Sequence, residues 1–228
     1  MSSDGAASSL PRARVYIDGF NLYYGALKGT SNKWLDLEAW CARLLPGYSV
    51  EQILYCTARV RGMPNNPGTD TRQQAYLRAL ATLPKVVVLE GMFKVNNTRA
   101  PRRPESHCKC CQQVPPACTC CAAATVPIIK TEEKGSDVNL AVAVVRDGFQ
   151  DLYDAAVIIS EDSDLQGAVD IVRGELGKQV IIVTPRNRKH PPLVGDTRRR
   201  VRPAALAACQ FPQSMTDANG TISRPSSW

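Results

Sequence analysis

The stretch Val157-Ile158-Ile159-Ser160-Glu161-Asp162-Ser163-Asp164 constrains the fold of this chain more than any other. Its apolar start reads as a buried strand, and it stops abruptly at a hydroxyl and three carboxylates. Open α/β folds place their ligands at the carboxyl ends of parallel strands. Clustered carboxylates repel one another unless a divalent cation lies between them, and oxygen-only donors suit Mg²⁺ or Mn²⁺. A second strand end of this kind lies near the N-terminus, where Val15-Tyr16-Ile17 runs into Asp18-Gly19-Phe20-Asn21.

The rest of the chain alternates strands with helices. Strands are expected at 13–17, 51–60, 85–93, 156–160 and 180–184, with a short one at 126–130. Helices are expected at 21–27, from Asp36 as cap to Leu45, at 69–83, 136–149 and 163–175, with a basic helix at about 193–208. In the helix at 136–149, Val138, Ala141, Val142 and Val145 are expected to face inward. This order implies an α/β fold, a three-layer α/β/α sandwich around a mostly parallel sheet. Residues 95–125 break the pattern with prolines, basic residues and cysteines, and read as a small Cys-rich inserted module. The expected division is a disordered N-terminus at 1–12, a main domain at 13–208 and a C-terminal tail at 209–228. A chain that is 44% hydrophobic can bury a full core, and no apolar run reaches membrane-spanning length. The first residues lack the apolar segment of a secretion signal, so a cytoplasmic location is expected.

Charge is segregated. Nine acids against two basic residues between Glu132 and Asp164 give net −7, and seven basic residues against Asp196 between Arg186 and Arg202 give net +6. An acidic centre beside a basic run suits an enzyme that cleaves a polyanion, one part holding a cation and the other the phosphates. Solvated helix faces are the plainer account of such runs. Asp18, Asp137, Asp162 and Asp164 are the candidate catalytic and metal-holding acids. Capping alone would account for Asp137 or Asp162 taken singly. It does not explain why acids recur at strand ends. Asn21 and Ser160 are candidate supporting and substrate-binding groups, and Arg186, Arg188 and Lys189 candidate phosphate contacts. The last three share an edge with the acids if the strand before them is parallel. Trp34, Trp40, Tyr23 and Tyr24 can stack bases, but aromatics near a first helix more often pack.

Three segments together resemble the NYN domain, in the LabA-like branch of the PIN-like nuclease superfamily. They are Val15-Tyr16-Ile17-Asp18-Gly19-Phe20-Asn21-Leu22, Glu133-Lys134-Gly135-Ser136-Asp137-Val138-Asn139 and Ile158-Ile159-Ser160-Glu161-Asp162-Ser163-Asp164. The resemblance spans roughly 13–185, and the segment from Gln210 to Trp228 resembles the tail of bacterial members. It implies Mg²⁺- or Mn²⁺-dependent phosphodiester hydrolysis, usually of RNA, with Asp18, Asp137, Asp162 and Asp164 as metal-site acids. A further acid on an early helix, common in PIN-like enzymes, has only Asp36 and Glu38 as candidates. The second reading is a nucleic-acid-binding or assembly protein on a nuclease-like fold with little catalysis. A third is a small-molecule phosphohydrolase. A homodimer is also compatible with the sequence.

Six of the nine cysteines fall between Cys108 and Cys121. Cys108 with Cys111, and Cys118 with Cys121, form two C-x₂-C pairs, the spacing of a tetrahedral structural Zn²⁺ site. Cys110, Cys120 and His107 compete as ligands, and an iron–sulfur cluster or redox dithiol is the alternative. Cys41, Cys56 and Cys209 are expected as buried core thiols.

Overall fold

The computed structural model describes residues 9–60, 62, 67–101, 125–186, 192–226 and 228. The chain divides into two units, Met1–Met92 with Gly135–Trp228, and Phe93–Lys134.

In the first unit the chain begins with β1 (Arg12–Asp18), a one-turn helix α1 (Gly19–Leu22) and a π-helical turn at Tyr23–Leu27. Asp36 caps α2 (Leu37–Leu44) by accepting the Ala39 N–H at 2.9 Å. There follow β2 (Ser49–Ala58), α3 (Thr69–Leu80) and β3 (Val86–Pro101), which crosses into the second unit. There it neighbours β4 (Thr125–Lys134) in the sheet order. Back in the first unit are α4 (Ser136–Phe149), β5 (Ala155–Ile159), a 3₁₀ turn at Ser163–Leu165 and α5 (Gln166–Gly174). The chain closes with β6 (Gln179–Thr184), β7 (Thr197–Arg200), α6 (Pro203–Ala208), β8 (Ser214–Asp217) and β9 (Gly220–Ser223).

The central sheet runs β3-β2-β1-β5-β6-β7, each neighbour parallel to the next. From β1 the chain winds outward one way through β2 and β3. From β5 it winds the other way through β6 and β7. The winding therefore reverses between β1 and β5, the switch point where such sheets open a crevice.

Strand alternation divides the core into two layers. Val15, Ile17, Ile53, Val157, Ile159, Ile181 and Val183 pack with α2, α3 and α6 on one face. Tyr16, Leu54, Ala156, Ile158, Val180 and Ile182 pack with α4 and α5 on the other. A sheet covered on both faces needs continuous apolar strands, and β5 is buried at every position. Cys41, Cys56 and Cys209 are buried, as expected. Among the described residues no helix is long and apolar enough to cross a membrane.

Three expectations are corrected. The basic helix at 193–208 is instead the parallel edge strand β7 followed by the short α6. Asp196 accepts the Val180 N–H at 2.8 Å, which draws the chain alongside β6, and Pro203 then opens the helix. On α4, Ala141 and Val145 pack against the inner layer as expected, but Val138 and Val142 are exposed, and the buried positions are Leu140, Ala143, Val144, Asp147 and Gly148. The polar Asp147 within this stripe disguised it. At Gly148 an added Cβ would lie 2.6 Å from the Tyr153 hydroxyl, so glycine permits that close approach. The C-terminal segment is also more than a tail. β8 and β9 form an antiparallel hairpin, Phe211 and Ile222 are buried, and Trp228 meets Trp34 and Tyr76 edge-on at 6.1 and 5.8 Å.

Burial keeps the hydroxyls of Tyr16, Tyr55, Tyr76 and Tyr153 protonated well above the usual tyrosine range. In the unfolded chain these groups ionise near pH ~10. Above that pH the folded chain holds more protons than the unfolded one, so stability falls as pH rises. Melting temperatures measured from pH 8 to 11 should be flat at first and drop beyond about pH 10. A flat profile to pH 11 would contradict this.

Candidate functional site

The candidate site is assembled where β1 and β5 end side by side. Ile17 pairs with Ile159, so the residues that follow, Asp18 and Ser160, leave the sheet together. They share the strand parity of Tyr16 and Ile158, which face α4 and α5. Both are buried. The Ser160 hydroxyl donates to Asp18 Oδ2 at 3.0 Å and accepts the Asp162 N–H at 3.1 Å. Asp18 Oδ1 accepts the Asn21 N–H at 2.8 Å and so caps α1. Asp162 Oδ1 accepts the Asp164 N–H at 3.0 Å and caps the 3₁₀ turn. One hydrogen-bonded chain thus links Asn21, Asp18, Ser160, Asp162 and Asp164. Ser160 acts as the clamp that fixes a carboxylate.

Asp137 lies in the first turn of α4. Near the other end of that helix, Asp147 meets Arg14 and Tyr16 of β1. α4 also packs on the Ser163–Leu165 turn. The helix therefore runs against the direction of β1, its first turn toward the strand ends. Arg186 follows β6, which is parallel, so it shares the edge with the acids. Arg188, Lys189 and the cysteine cluster Cys108–Cys121 lie outside the described residues. Neither candidate for a further acid joins the site. Asp36 is used in capping α2. Glu38 accepts the Lys85 N–H just ahead of β3, at the opposite edge of the sheet.

Sequence reading missed Glu161. This acid has the opposite strand parity from Ser160, is buried, and accepts the Arg186 N–H at 3.0 Å, with the Arg186 guanidinium 3.9 Å away. It ties the chain after β6 to the end of β5. Its parity was the available signal. Two glycines allow the close packing around the site. A Cβ at Gly19 would lie 2.7 Å from the Tyr55 ring and 2.8 Å from the Cys56 carbonyl, and one at Gly25 would lie 2.6 Å from Pro185. Burial, with the Asp18 charge adding to it, holds the Tyr55 hydroxyl protonated.

The donors here are all oxygens, and the buried Asn21 Oδ1 has no hydrogen-bond partner. That chemistry fits a hard divalent cation. Among the described residues no three His, Cys, Asp or Glu side chains cluster closely enough to hold an ion alone. Mg²⁺ is commonly held by one or two carboxylates, the remaining positions going to water and substrate phosphate.

Residues 112–196, which carry Asp137 and the end of β5, match the NYN domain. The 6-hydroxy-3-succinoylpyridine 3-monooxygenase HspA of Pseudomonas putida (strain DSM 28022 / S16) is 30% identical, over 95% of this chain and 75% of its own. The chain belongs to the NYN domain family. A protein of unknown function from Vibrio parahaemolyticus RIMD 2210633, VPA0982, shares the fold of this NYN protein with a TM-score of 0.51. That likeness covers 86% of this chain and 96% of that one at 12% identity.

Proposed function

We propose that this NYN protein is a metal-dependent nuclease that hydrolyses phosphodiester bonds, in the first place of RNA. The observation that supports it is the hydrogen-bonded set Asp18–Ser160–Asp162 at the switch point of a parallel sheet. Asp18 and Asn21 Oδ1, with Asp162, Asp164 or Asp137, would hold Mg²⁺ or Mn²⁺. When bound, the cation supplies Lewis acidity toward the phosphate and toward water. Ser160 keeps the Asp18 carboxylate oriented and stops it from turning away when the site is empty of charge. Arg186, anchored through its backbone to Glu161, offers its guanidinium to a phosphate oxygen, with Arg188 and Lys189 extending the basic run. Incubation with labelled single- and double-stranded RNA and DNA tests this reading, with Mn²⁺, Mg²⁺ or EDTA. Cleavage with either metal and none in EDTA is expected; no cleavage of any substrate would sink it.

A second reading comes from HspA, whose name describes a monooxygenase acting on a hydroxylated pyridine. Oxygen consumption with 6-hydroxy-3-succinoylpyridine and an added two-electron reductant, run on the same preparation, separates the two.

The cysteine pairs Cys108/Cys111 and Cys118/Cys121 are proposed to hold one structural Zn²⁺. Four thiolates close the shell, so this ion would stabilise the insert and take no part in hydrolysis. Elemental analysis should find about one equivalent per chain. Less than roughly half an equivalent, with the thiols free to titrate, would reject the site.

A further inference from the structure

Directly after Asp18, the chain carries aromatic rings that the proposed chemistry does not use. Phe20 and Tyr24 lie one helical turn apart, with nearly parallel rings, 19° between planes and centroids 6.4 Å apart. Together the two rings form an aromatic shelf in which Phe20 backs Tyr24. Tyr23 meets Tyr24 edge-on at 5.2 Å and is itself packed against the core, so it buttresses the outer ring. Tyr24 remains 54% exposed. The Lys28 ammonium sits 4.9 Å from the Tyr24 ring centre.

The backbone under the shelf is unusual. Tyr23–Leu27 is a π-helical turn, a rare form that recurs at functional sites. Gly25, in the same turn, meets Pro185 and Arg186 so closely that no larger residue fits. The shelf is thereby held against the chain segment that carries Arg186. The i,i+4 spacing of Phe20, Tyr24 and Lys28 brings these groups together and leaves the Tyr24 ring exposed beside a cation. Flat aromatic rings lined by cations are how proteins hold single-stranded nucleic acid without reading its sequence.

We propose that the Tyr24 ring, backed by Phe20, forms a stacking subsite for one nucleobase of a single-stranded polynucleotide, beside the phosphate that a cation at Asp18 would hold. The proposal rests on the nuclease reading. Lys28 covers the Tyr24 ring when the site is free. It swings to the neighbouring phosphate when a base takes its place.

The test is fluorescence anisotropy of a labelled single-stranded oligoribonucleotide in EDTA, so that binding is read without cleavage. Wild type, Tyr24→Ala and Tyr24→Phe are compared, on the oligomer and on an abasic oligomer of equal length. Tyr24→Ala should weaken binding to the base-bearing oligomer roughly tenfold, and Tyr24→Phe should bind like wild type. On the abasic oligomer the three should agree. Equal binding by Tyr24→Ala and wild type, or an equal loss on the abasic oligomer, overturns the stacking subsite and leaves the nuclease reading standing. Failure of wild type to bind either oligomer at low salt also overturns the stacking subsite, while the cleavage assay with Mn²⁺ decides the nuclease reading separately. Free 6-hydroxy-3-succinoylpyridine should displace the oligomer no better than uridine does. Tight displacement would assign the shelf to a free ring and overturn the polynucleotide assignment. Circular dichroism of each variant confirms the fold.

Discussion

Asp18→Asn is expected to lower phosphodiester cleavage by a factor on the order of 10²–10³ while the protein stays folded. The isosteric amide keeps an oxygen for the Asn21 N–H, so the cap of α1 survives. It removes the negative charge a cation needs and weakens the link to Ser160, which now donates to a carboxylate oxygen. Without metal, losing one of several neighbouring acids relieves repulsion, so the melting temperature should hold or rise slightly. Asp162→Asn should behave alike, since it also keeps the cap of its turn. Cleavage assays with Mn²⁺, paired with metal-free melts, check both halves. Full activity in Asp18→Asn would reject the metal mechanism.

Most of the framework behind this site was legible in the chain. Continuous apolar strands such as Val157–Ile159 leave no exposed face, which forces helices onto both sides and parallel connections. Strand parity then aims Asp18 and Ser160 the same way. What the sequence hid had physical causes. Asp147 stands at an inward position of α4, and a carboxylate among valines reads as surface, so Val138 and Val142 read as inward in place of Leu140 and Val144. Arg198–Arg200 look like a basic helix face, but Asp196 fastens the chain beside β6 and makes them an edge strand. Charge on an edge is a common guard against further strand pairing. Glu161 was not among the candidate acids, and its strand parity, opposite to that of Ser160 and Asp162, was the one sign that it turns inward to hold the Arg186 backbone. The hairpin at the end escaped because its stability comes from distant partners, among them the Arg78–Asp217 ion pair at 2.6 Å. The Trp34 indole N–H donated to the Pro212 carbonyl is another.

The largest stability effect is expected far from the candidate site, at Asp147. Its side chain is fully buried in the protein and meets the Arg14 guanidinium at 2.7 Å. It also accepts the Tyr16 hydroxyl at 3.0 Å and the Arg146 guanidinium at 2.7 Å. Arg146 is largely exposed and can return its charge to water, but the Arg14 side chain is only 15% exposed. Asp147→Ala therefore strands a nearly buried cation and an unpaired tyrosine hydroxyl. Removing one partner of a buried pair costs about 3–5 kcal/mol. In a chain of this size that is a fall in melting temperature of roughly 6–20 °C. Replacing both partners, Asp147→Ala with Arg14→Met, should recover a large part of the loss, because the uncompensated charge goes with the arginine. Thermal melts of the two single variants and the double variant close the cycle. Additive losses in the double variant would mean that Asp147 acts through packing rather than through its charge. The pair lies toward the starting end of β1, away from Asp18. The fraction of Asp147→Ala that is folded should therefore retain the wild-type response to Mn²⁺ and EDTA.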